Sequence, residues 1–152
     1  MAIKILSIGK KHEDWVTTGI ERYQKRLKKP WDVTWQLLAH SSRQGDAARE
    51  EESARLLQKI TGRDFVVLLD ERGAMFDSPA FSRKIQQCFV QSKPVTFVIG
   101  GAYGVTEELR GRANLLWSLS DLVFPHQLVR LLLVEQLYRA QEIAAGGSYH
   151  HV

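Results

Sequence analysis

The sequence predicts an α/β fold of three layers, with helices on both sides of a mainly parallel sheet. The runs FVVLL (Phe65 to Leu69) and VTFVI (Val95 to Ile99) are continuously apolar. A strand with no polar face is covered on both sides, as in a parallel sheet flanked by helices. Strand-like segments also alternate with stretches of helical periodicity, the order that builds such a sheet. Length sets the scale: 152 residues, 44% hydrophobic and 25% charged, suit a single domain over 1–152 and leave no room for a second sizeable core.

The elements follow in order. Ile3 to Ile8 and Val33 to Leu38 read as buried strands, as do Phe65 to Leu69, Val95 to Ile99 and Leu115 to Leu119. Asp14 to Lys28 reads as an amphipathic helix with Trp15, Thr18, Gly19, Arg22 and Tyr23 at helical spacing. Asp46 to Ile60 is a charge-rich helix whose apolar edge, Leu56, Leu57 and Ile60, lies near its end. Ser78 and Pro79 form a cap and first-turn pair, after which Phe81, Ile85, Cys88 and Phe89 share one face and put Cys88 in the core. Thr106 before Glu107 and Glu108 opens a short helix, since the hydroxyl caps free amides and the carboxylates suit the positive end of the dipole. Gln127 to Ala145 is apolar nearly all round, which calls for burial against its own sheet and against a second copy, so a homodimer is expected. Gly146 and Gly147 stop that helix and leave the tail SYHHV.

Composition excludes several classes. The apolar stretch Leu128 to Val134 is broken by Arg130 and followed by Glu135, so no run approaches the roughly 18 apolar residues of a membrane span. The first residues lack the basic start and cleavage site of a signal peptide, and a cytoplasmic location is expected. The one cysteine forms no internal disulfide and anchors no zinc site. Twenty-one Lys and Arg against seventeen Asp and Glu leave a net charge of +4. Lys10, Lys11, Arg22, Lys25, Arg26, Lys28 and Lys29 concentrate that surplus, either as a solvated face or as a nucleic-acid footprint.

Ligands of α/β sheets gather beyond the carboxyl ends of the strands. Three loops qualify: Asp70 to Ala74, Gly100 to Gly104, and Ser120 to His126. The IGGAYG loop matches neither the dinucleotide fingerprint nor the phosphate-binding loop pattern, and alone it reads as a tight strand-to-helix turn. Asp70 stands where magnesium-binding carboxylates occur, but no second acidic cluster accompanies it, and no metal-ligand spacing is present. The tail reads either as a frayed terminus or as a working segment over 146–152.

The segments KxxDWV (Lys11 to Val16), LLDERG, FVIGGAYG, WSLSDLVFPHQLVRLLLVEQLYRA and SYHHV occur in this order over nearly the whole chain. Together they resemble the RlmH (YbeA) family of small SPOUT-class methyltransferases. The resemblance implies methyl transfer from S-adenosylmethionine to N3 of a pseudouridine in 23S ribosomal RNA, with a deep trefoil knot near the C-terminus and a homodimer. It implies a cofactor site at Leu69, Gly100, Gly101, Leu119, Ser120, Asp121, Leu122, Val123 and Phe124, where a side chain at Gly101 would obstruct the ligand. It also implies that Tyr149 and His150 cover the cofactor and shape the RNA site.

Two positions depart from the family. PHPLVR becomes Pro125, His126, Gln127, Leu128, Val129 and Arg130, and the basic residue after Tyr and His in the tail becomes His151, whose charge depends on pH. A sulfonium donor needs no metal, whereas an imide acceptor must lose a proton to a base or be stabilised by cations. His126, Arg130, Tyr149, His150 and His151 are the candidate catalytic residues. The small, mildly charged chain points to an assembled ribosome as substrate rather than free RNA, with no DNA or membrane partner. The alternative is a non-catalytic dimeric module that binds RNA or the ribosome.

Overall fold

The computed structural model describes residues 3–151. Met1, Ala2 and Val152, the last residue of the tail, lie outside the described residues. The elements are β1 (Ile3–Ile8), α1 (Asp14–Gln24), β2 (Val33–Leu38), α2 (Gly45–Gln58), β3 (Phe65–Ala74), α3 (Ser78–Val90), β4 (Val95–Ile99), α4 (Glu107–Arg112), β5 (Leu115–Trp117) and α5 (His126–Ala144). All strand pairs are parallel, in the order β2-β1-β4-β3-β5. Alternation along each strand sorts the core. Ile3, Ile5, Phe97 and Trp117 pack under α1, α3 and α5, while Leu6, Ile8, Leu68 and Val98 pack under α2 and α4. The predicted three-layer arrangement is the observed one, and Cys88 lies in the core with its thiol pushed up by burial.

Several local expectations are corrected. β2 is an edge strand and only half-buried, because an edge has a neighbour on one side alone. α1 stops at Gln24 and buries Val16 and Ile20, while Trp15 is 52% exposed and donates its indole N–H to Glu13 at 2.5 Å. The buried row of α2 is Ala48, Glu52, Ser53 and Leu56, two of them polar and so hidden from a hydrophobicity pattern. Asp77, not Ser78, caps α3 by accepting from the Ala80 amide at 2.8 Å, and Ser78 instead donates to Gln136 across to α5 at 2.7 Å. Thr106 does cap α4, at 3.3 Å from the Leu109 amide.

Two differences shape the functional end. β3 continues to Ala74, and both Leu69 and Ala74 face Trp117, so the Asp70 to Gly73 stretch bulges out of the ladder. β5 ends at Trp117 rather than Leu119, which frees Ser118 and Leu119 to line a cavity. α5 packs between α1 and α3 and buries Leu133, Val134, Leu137 and Ala140, with Leu128, Leu131 and Leu132 half-buried. Much of its apolar girth is therefore used within the chain. Among the described residues, no helix is long and apolar enough to cross a membrane.

Candidate active site

Where β3, β4 and β5 end, their loops and the start of α5 enclose a cavity of about 380 Å³. Leu69, Gly100, Gly101, Leu119, Ser120, Leu122, Val123 and Phe124 line it, as do His126 and Val129 from α5, whereas Asp121 does not. The loop after β5 is braced from within: Ser118 Oγ donates to the Ser120 carbonyl at 2.9 Å, and Ser120 Oγ accepts from the Leu122 amide at 3.0 Å. Leu122 and Val123 stand 69% and 79% exposed, an apolar rim without a cover in the single chain. Opposite, the Gly104 amide donates to the Gly101 carbonyl at 3.1 Å and folds the IGGAYG loop into a tight turn.

An added Cβ on Gly101 would not enter the cavity. It would strike Glu52 Oε1 and approach Ile8 Cγ2 to 3.2 Å, so bulk there disturbs the packing under α2 and obstructs a ligand only indirectly. Glu52, behind Gly101, is a buried acid beside the site that the sequence reading does not single out. It is 3% exposed, accepts from the Ser41 amide at 3.0 Å, approaches His40 at 3.9 Å, and leaves Oε1 without a partner. Asp70 is already occupied: Arg110 donates to it at 2.8 Å and the Arg72 amide at 2.9 Å. Burial acts to raise its pKa, but these donors outweigh burial and hold the carboxyl below its ordinary value.

A second cavity, of about 520 Å³, adjoins the first through Ala102 and His126 and lies beyond the end of β1. Arg130 forms part of its wall and is 1% exposed. Its guanidinium donates to the Ile8, Gly9 and Lys11 carbonyls at 2.9, 3.0 and 3.2 Å and reaches His12 Nδ1 at 3.1 Å. Burial, then the Arg130 charge, lowers the pKa of both His12 and His126. Both imidazoles therefore stay neutral to lower pH than a free histidine.

The tail residues are held elsewhere. Tyr149 donates to Glu135 at 3.2 Å under the Arg139 guanidinium, and Arg139 donates to His150 Nδ1 at 3.1 Å. Burial, with Tyr23 and Glu135 adding to it, pushes the Tyr149 phenol up to about 12, so Tyr149 is a hydrogen-bond donor at neutral pH and no base. His151 is exposed. Glu135 lies nine residues beyond His126 on α5, roughly 14 Å along the helix axis. The chain thus brings His126 to the first cavity and Arg130 to the second, and keeps Tyr149 and His150 away from both.

A five-stranded parallel sheet with helices on both faces and a cavity at the carboxyl ends of its strands defines an α/β enzyme-type domain. A family described as "Predicted SPOUT methyltransferase" matches residues 1–150, and the chain belongs to that family. Among similar proteins, the Ribosomal RNA large subunit methyltransferase H of Desulfitobacterium hafniense is 39% identical, with 99% of each chain covered. The proteins of that name from Natranaerobius thermophilus and Streptococcus gordonii are 36% and 39% identical, with 99% of this chain covered in each case.

Proposed function

We propose that the chain is a homodimeric, cytoplasmic methyltransferase that carries a methyl group from S-adenosylmethionine to N3 of a pseudouridine in 23S ribosomal RNA of the assembled ribosome. The observation that carries this reading is the first cavity, at the strand ends of a chain similar over its full length to large-subunit RNA methyltransferases. The residues present fit the donor. At about 380 Å³ the cavity is in the range of small-ligand sites, and Gly100 and Gly101 line it. An added Cβ on Gly100 would meet Val105 Cγ1 at 2.7 Å. Leu69, Leu119 and Val129 offer apolar cover for the adenine, and the Ser118 to Leu122 loop offers peptide groups.

When bound, S-adenosylmethionine supplies an electrophilic methyl group on sulfur. The chain then has to orient it, exclude water and manage the proton of the acceptor nitrogen. We assign the acceptance of that proton to His126, whose pKa is lowered and which lines both cavities, and the Arg130 charge opposes retention of the proton there. Leu122 and Val123 form the uncovered rim that a second copy would close. Each chain's own Tyr149 is tied to its Glu135 at mid-helix, away from its own cavity, so in a homodimer a tail meets this rim only across the interface.

The test is methyl transfer to ribosomes and to naked large-subunit RNA, with mapping of the modified nucleotide, beside calorimetry of S-adenosylmethionine. We expect stoichiometric donor binding, and one N3-methylated pseudouridine formed faster on ribosomes. Absence of donor binding would leave the non-catalytic module as the correct reading.

A further inference from the structure

We propose that the second cavity is a phosphate-binding subsite for the RNA strand, with Lys10 and Lys11 as its contacts, lying beside the donor cavity. The identity of the strand as ribosomal RNA rests on the proposed function. The site itself rests on charge and geometry.

The ionisable side chains lining the cavity are Lys10, Lys11, His40, His126 and Arg130, with no carboxylate among them. Arg130 sharpens the point. It is 1% exposed, its Nε has no hydrogen-bond partner, and its other bonds go to three carbonyls and one imidazole. No carboxylate among the described residues pairs with it. A buried guanidinium without a counter-anion is costly to hold, and an anion in the adjoining cavity would offset that cost. The lysines stand on a fixed loop rather than a loose one. The Gly9 amide donates to the Leu38 carbonyl at 2.6 Å, and Arg130 and Gln127 both hold the Lys11 carbonyl at 3.2 Å. Gly9 has φ +113, and a Cβ there would lie 2.9 Å from Arg130 Nη2 and 3.2 Å from His40 Nε2, so glycine lets Arg130 and His40 converge.

The occupant is a phosphodiester rather than the donor's carboxylate. One carboxylate requires one cation, whereas two exposed lysines beside a buried arginine suit a run of backbone charge. The shared border at Ala102 and His126 puts such a strand next to the methyl donor.

The experiment compares wild type, Lys10→Ala/Lys11→Ala and Lys10→Arg/Lys11→Arg in binding to large ribosomal subunits across a salt series, with calorimetry of S-adenosylmethionine alongside. Both side chains are exposed, so the double variants should fold. The alanine pair should weaken binding by about tenfold or more and flatten the log affinity against log salt slope by about 1 per lysine, while donor affinity stays unchanged. The arginine pair should restore both readings. An unchanged slope and affinity in the alanine pair would overturn the subsite. Loss of donor affinity with an unchanged slope would also overturn it, by assigning the cations to the donor's carboxylate. These slopes need no turnover, so a wild type that binds ribosomes but transfers no methyl would refute the proposed activity and leave the subsite intact.

Discussion

At the carboxyl edge of one sheet, the loops after β3, β4 and β5 enclose a cavity whose apolar and backbone walls carry two acids and two arginines, while the loop after β1 and the first turn of α5 enclose a cavity lined by Lys10, Lys11 and Arg130. The contrast follows from the charge each must meet. In the first cavity Asp70 is paired with Arg110, and Glu71 and Arg72 stand beside them, so the charges of its walls balance. In the second, Arg130 is buried without an acid, which suits a polyanion. His126 touches both cavities. Keeping the two environments separate at one sheet edge depends on Arg130, whose fork binds the end of β1 to α5.

Breaking that fork should give the largest effect. In Arg130→Met, the carbonyls of Ile8 and Gly9 lose the guanidinium while that of Lys11 keeps Gln127, and each buried group left unpaired costs roughly 1–3 kcal/mol. Urea denaturation should show a loss of about 3 kcal/mol or more, with little rescue by Arg130→Lys because an ammonium does not reproduce the fork. A loss below about 1 kcal/mol would show that the loop after β1 stands without it.

Next comes the tail, which belongs to neither cavity in its own chain. Removing 148–152 should lower single-turnover methyl transfer by about a hundredfold or more, with donor binding retained and a stability loss of about 1 kcal/mol. A fully active truncation would remove the tail from the mechanism. Mixing truncated chains with chains defective in donor binding should recover activity if the tail serves the partner's cavity.

A milder change separates the cavities. Leu122 is 69% exposed on the rim of the first, so Leu122→Asp should weaken S-adenosylmethionine binding by about tenfold, on the order of one buried apolar side chain, and lower the melting temperature where a second copy covers the rim. Affinity for ribosomes at fixed salt should be unaffected. Equal weakening of both would mean that the two cavities act as one.

These contrasts were unevenly legible in the chain. FVVLL and VTFVI marked β3 and β4, two of the three interior strands, because both faces of each are largely apolar, and Thr106 announced α4 because a cap is a local event. The loops lining the first cavity followed from the family's motifs, not from periodicity. Glu52 is not distinguished within the charge-rich stretch Asp46 to Ile60, and Arg130 reads only as a candidate catalytic cation. Arg130 is buried against Ile8, on the opposite terminus from α5, whereas Glu52 is held by Ser41, 11 residues before it in the loop that leads into α2. No local pattern encodes a contact between distant segments. The same holds for Gly101, whose missing side chain makes room for Glu52 rather than for a ligand.

The smallest expected effect concerns His126, the residue common to both cavities. Its pKa in the folded chain lies below the 6.5 of a free imidazole, chiefly through burial and then through Arg130. As pH falls through about 6.5, the unfolded chain takes up the proton before the folded one does, so the unfolded state binds more protons and folding stability decreases with acidification. Above that range both states are neutral and the contribution vanishes. His12, lowered by the same two causes, adds to the slope with the same sign. Urea midpoints measured from about pH 7.5 to about 5 should therefore fall for wild type and fall less steeply for His126→Gln, which cannot take up the proton. Identical slopes in the two proteins would mean that His126 titrates as a free surface histidine, and the border between the two cavities would then lose its neutral imidazole.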